Sequence, residues 1–119
     1  MSIVYLVYCK ADEKCFYLCD DMDVAEHFKG ELDYKQFDMY CDKYDVNKEN
    51  LDYDELEEQK SIACFYGYYC NIKEIDITDL KPNQDVELKY GDVFTVSEIK
   101  KCIEDYNGDI NEFKCMYDI

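Results

Sequence analysis

Arginine and tryptophan are absent from this chain of 119 residues, and histidine (His27) and proline occur once each. Glycine is scarce as well, with four. The positive side chains are therefore 13 lysines, set against 29 Asp and Glu, for a net charge of −16 at pH 7. Direct nucleic-acid binding needs cations that displace counterions from phosphates, so this imbalance argues against it. It argues equally against docking on anionic lipid heads. No Gly-rich phosphate loop is formed among so few glycines, and no cofactor is expected. No stretch approaches the roughly 20 apolar residues of a membrane span. The opening "MSIVYLVYCKADEK" has no basic leader and no small-residue cleavage site, so a cytoplasmic protein is expected. In that compartment the eight cysteines should be reduced and mostly buried.

What is present is a folding composition. Hydrophobic residues make up 48% and aromatics 16%, which excludes a disordered acidic tail and predicts one domain over residues 1–119. Ile3–Cys9 and residues 15–19, "CFYLC", are β-prone runs joined by the polar "KADEK", a hairpin signature. A run apolar at nearly every position predicts a central strand buried on both faces. "DDMDVAEHFKG" reads as a short helix with Asp20 or Asp21 as N-cap and Gly30 as its end. A second helix is expected over residues 33–44, with Tyr34, Phe37, Cys41 and Tyr44 on its buried stripe. Residues 45–60 read as a loop with one helical turn near 54–59. Residues 61–77 form the longest β-like stretch, with a phase change between Ile72 and Ile75 that suggests a bulge.

"KPNQD" marks a turn, and residues 86–90 a short edge strand. Thr95 and Glu98 match a capping box ahead of Ile99, Cys102, Ile103 and Tyr106, and "NG" at 107–108 ends that helix. Phe113, Cys115, Tyr117 and Ile119 alternate, which predicts a final strand. The expected class is α+β, a mainly antiparallel sheet with about three helices in the order β-β-α-α-β-(β)-α-β.

"CDKYDVNKENLDYDELEE" invites a calcium reading. Asp45, Asn47 and Glu49 fall at loop positions one, three and five of an EF-hand. A loop of about twelve residues from Asp45 closes on Leu56, however, with Glu55 one position short and Glu57 one long. A degenerate calcium module is thus the alternative reading. A third is a small enzyme pairing His27 with Cys15, Cys19 or Cys41, although no motif selects a nucleophile. Cys15 and Cys19 are too divergent for a zinc knuckle, while Cys9 and Cys15 could face each other across the hairpin.

Charge distribution favours a binding surface. Residues 20–58 hold fifteen carboxylates and four lysines, a net of −11 out of −16. Crowding of this kind costs self-repulsion that solubility alone would not require. The expected contact residues are Asp33, Asp38, Tyr40, Asp42, Asp45, Glu49, Asp52, Tyr53, Asp54, Glu55, Glu57 and Glu58. In size, charge and Lys/Tyr/Asn/Asp-rich usage the chain resembles the small acidic proteins that bacteriophages and mobile elements use against host defences, among them anti-CRISPR proteins and DNA mimics. The resemblance rests on general character and assigns no residue. It implies a cationic, nucleic-acid-handling partner, such as a nuclease effector, blocked without chemistry.

Overall fold

The computed structural model describes residues 2–11 and 13–117. Its organising element is β1 (Ile3–Cys9), the middle strand of an antiparallel sheet between β2 (Lys14–Cys19) and β3 (Cys70–Asp76). Both faces of β1 are covered, as its unbroken apolar run predicts. Val4 and Leu6 point into one core and Val7 and Cys9 into another. The first face is closed by β4 (Asp85–Glu87), β5 (Val93–Thr95), α3 (Val96–Asp105) and α4 (Ile110–Tyr117). The second is closed by the first half of α1 (Met22–Lys43), through Ala25, Phe28 and Leu32. The class is α+β, with two antiparallel sheets.

The second half of α1 runs past the end of the sheet and packs on α2 (Tyr53–Phe65), a 3-10 turn at Lys48–Asn50 lying between them. Phe37, Tyr40, Cys41 and Ala63 make the small core of this helical arm. The molecule is accordingly elongated, 52 × 30 × 22 Å, with a radius of gyration of 16.3 Å. A compact chain of this length would have about 13.5 Å.

Four expectations are corrected. Gly30 does not end a helix, because α1 runs for 22 residues straight through it. The Lys29–Asp33 and His27–Glu31 pairs, each four apart, bridge the glycine. The apolar stripe from Ala25 to Leu32 meanwhile packs on the sheet, and together these override its poor propensity. Residues 61–65 are helix and not strand: the Asp52–Glu55 capping box starts α2, and the helix runs to Phe65. Gly67, at φ +90, then turns the chain towards β3.

The phase change between Ile72 and Ile75 is no bulge. β3 pairs with β1 in unbroken register, and the two isoleucines serve opposite cores. The sheet's irregularity lies instead between β1 and β2, where Val7 pairs with Tyr17 but Tyr8 with Cys15. Finally, Phe113 and Cys115 belong to a helix. Asp109 accepts a hydrogen bond from the Glu112 N–H at 3.1 Å, and Ile110 and Phe113 are buried at a spacing of three. Ile119, the last residue of the expected strand, lies outside the described residues.

Candidate acidic docking surface

Local chemistry places the acids of the arm. Asp52 accepts the Glu55 N–H at 2.8 Å and Glu55 accepts the Asp52 N–H at 3.5 Å, so both are helix caps as well as exposed carboxylates. Leu56, Gln59 and Ala63 face α1, where the Tyr40 hydroxyl donates to Gln59 Oε1 at 2.9 Å. Helical periodicity therefore turns Asp54, Glu57 and Glu58 to the opposite, solvent side. At the end of α1 Asp42 lines one groove with Glu49 of the connection, and Asp45 between them is exposed. All eight carboxylates of residues 42–58 are exposed, with only Lys43 and Lys48 among them.

Compensation within the arm is partial. Glu57 lies 3.5 Å from Lys60, with both half-exposed, and such pairs are worth little. Asp42, Asp45, Glu49, Asp54 and Glu58 form no ion pair among the described residues. Tyr53, 76% exposed, and Tyr44, stacked on Tyr66 at 5.7 Å, stand among them as aromatic surface.

Three of the expected contact residues serve the fold instead. Asp33 is half-buried: one carboxylate oxygen accepts from Lys29 at 2.5 Å and the other from the Cys70 N–H at 2.6 Å, which ties α1 to β3. Asp38 is bound to the Lys48 ammonium. That hydrogen bond is the main cause holding the Lys48 pKa above its usual value. Lys48 also sits 4.9 Å over the Tyr34 ring. Tyr40 is only 4% exposed, and burial raises its phenol pKa. The stripe is thus rotated relative to the sequence reading, with Tyr40 inside and Tyr34 and Tyr44 outside. Phe65, 86% exposed at the end of α2, was hidden by the strand reading of its segment.

The calcium reading meets a helix–loop–helix without a coordinating set. Asn47 Oδ1 accepts the Glu49 N–H at 3.2 Å, and Asp45 sits in a left-handed conformation at φ +55. Among the described residues no three His, Cys, Asp or Glu side chains are grouped to hold a metal ion. His27 is exposed and faces Glu31 at 3.3 Å. Six of the eight cysteines are buried; Cys9 pairs with Lys14 across the hairpin, not with Cys15. Burial raises the Cys15 and Cys19 pKa values to about 11 and Cys102 to about 12, which keeps these thiols protonated and unreactive.

Among the described residues no helix is long and apolar enough to cross a membrane. No family model matches the chain, and neither a curated protein nor a solved structure does.

Proposed function

We propose that the chain is a non-enzymatic binding protein that docks the acidic end of its helical arm on a cationic, nucleic-acid-handling protein and blocks it. The observation that carries this reading is the exposure of all eight carboxylates of residues 42–58 on a projecting element, with little internal compensation. Six of the eight sit on the two packed helices or at their caps, so little ordering is needed to present that charge. Such a surface imitates the phosphates of a nucleic acid, steers a basic groove towards itself and excludes the groove's own ligand. Tyr53 and Tyr44 supply apolar area within the charged rim. Blocking of a nuclease effector, in the manner of an anti-CRISPR protein or a DNA mimic, is the form this function takes.

Charge reversal tests it. Lysines at Asp42, Glu49, Glu57 and Glu58 disturb at most the exposed Glu57–Lys60 pair, so the circular dichroism spectrum and melting temperature should stay unchanged. Affinity capture from host lysate should retain a basic nucleic-acid-binding protein that elutes with rising salt and is lost with the quadruple variant. The captured protein's nucleic-acid binding or cleavage should fall when the wild-type chain is added. Capture indifferent to both salt and charge reversal sinks the proposal.

A further inference from the structure

A cleft of about 330 Å³ opens between α1 and α2, with Tyr68 and Tyr69 of the following turn in its wall. That volume lies at the lower end of small-molecule sites, roughly 300–1,000 Å³. Tyr34 and Phe37 line its other side, so the walls are largely aromatic. Gly30 also lines it and has no evident structural reason to be glycine. Its backbone is not left-handed, and an added Cβ would meet nothing within 4 Å. Mid-helix glycine costs roughly 0.5–1 kcal/mol relative to alanine. What the missing side chain does achieve is to leave the cleft open.

The polar groups point to the ligand's charge. Both oxygens of Asp33 are engaged, by Lys29 and by the Cys70 N–H. Lys29 gives Asp33 one of its three N–H donors. Lys60, on the opposite wall, makes a long contact with Glu57 and no other ion pair among the described residues. The capacity left towards the cleft is therefore that of ammonium donors, on a chain whose net charge is −16.

We propose that this cleft binds a small planar aromatic molecule bearing one anionic group, with the ring among Tyr34, Tyr68 and Tyr69 and the acid at Lys60 and Lys29. The reading is independent of the acidic docking surface, and salt separates the two. The negative field of the whole chain opposes an incoming anion, so screening should strengthen binding here, whereas it weakens docking on a cationic protein.

The probe is 1-anilinonaphthalene-8-sulfonate, an aromatic sulfonate, titrated by fluorescence beside the neutral N-phenyl-1-naphthylamine. The sulfonate should bind at one saturable site, more tightly than the neutral amine, and more tightly at about 150 mM than at about 10 mM salt. Gly30→Leu fills the cleft from a helical position and should weaken binding about tenfold or more, with the melting temperature kept or raised. Lys60→Gln should weaken it about threefold. The sulfonate should also slow alkylation of Cys64, an exposed thiol in the cleft wall. That measurement stands even if a variant folds poorly. Absence of saturable binding, or an affinity untouched by Gly30→Leu, overturns the site. Equal binding of the neutral amine together with a silent Lys60→Gln overturns the anionic ligand.

Discussion

Replacing Gly108 by alanine should unfold much of this protein, and a second glycine supplies the control. Gly108 lies between α3 and α4 at φ +80, where it crosses β2 so closely that a Cβ would sit 1.9 Å from the Leu18 carbonyl oxygen. Its own carbonyl accepts the Leu18 N–H at 2.8 Å. A left-handed alanine costs about 1–2 kcal/mol. Relief of the clash must also move the turn off the strand. That breaks the Leu18 bond, at about 1–3 kcal/mol for a backbone donor left unpaired. It also loosens Ile110 and Phe113, both fully buried and each worth about 1.5–3 kcal/mol at most. The first two costs alone come to about 2–5 kcal/mol, to which the loosened side chains add, a large part of the 5–15 kcal/mol typical of a domain. Gly91 has nearly the same backbone, φ +84, but a Cβ there meets nothing within 4 Å. Gly91→Ala should therefore cost only the conformational term, about 1–2 kcal/mol. Urea titration followed by circular dichroism measures both. Equal losses for the two variants would refute the reasoning, because they would assign the whole effect to backbone conformation and none to the close approach.

In native protein only Cys64 and Cys115 should react rapidly with Ellman's reagent, and the other six thiols only after denaturation; fast reaction of Cys102 would contradict its burial. Alkaline pH should destabilise the fold. Cys15, Cys19 and Cys102 are raised from 9.0 to about 11, 11 and 12, so the unfolded chain loses these protons first. The stability they contribute is whole below pH 9 and falls as pH rises towards 11 and 12, by roughly 1 kcal/mol for each thiol at about pH 10. Urea midpoints at about pH 8 and pH 10 would show it, and cysteine-to-alanine variants would reduce the slope. Asp33→Ala should cost about 1–3 kcal/mol by orphaning the Cys70 N–H, while Asp42→Ala should leave stability within about 0.5 kcal/mol. Similar values for the two would erase the distinction between structural and surface acids drawn above.

Several short chemical signals in the sequence hold, though the Gly30 stop does not. The hairpin of β1 and β2, the doubly covered central strand, the Thr95–Glu98 box and the Asn-Gly stop after α3 all stand in the structure. Two further helix starts carried a similar mark, Asp52 with Glu55 and Asp109 with Glu112, and an aspartate in place of threonine concealed them. Alternation misled ahead of β3 and at α4, because residues 66–69 and 113–116 match a period of two without forming a strand. The contact of Ile110 and Phe113 with the sheet decides for a helix.

The acidic surface was legible as an amount of charge but not as an arrangement. Composition by itself determined that the chain folds, that it carries a large negative field, and that residues 42–58 set eight carboxylates against two lysines. Only the tertiary structure decided which carboxylates remain available. Asp33 and Asp38 meet Lys29 and Lys48, and Tyr40 turns inward, because α1 changes partners along its length, from the sheet to α2. A helix that packs on two different surfaces rotates its buried stripe, and a periodicity read from one window cannot follow that rotation.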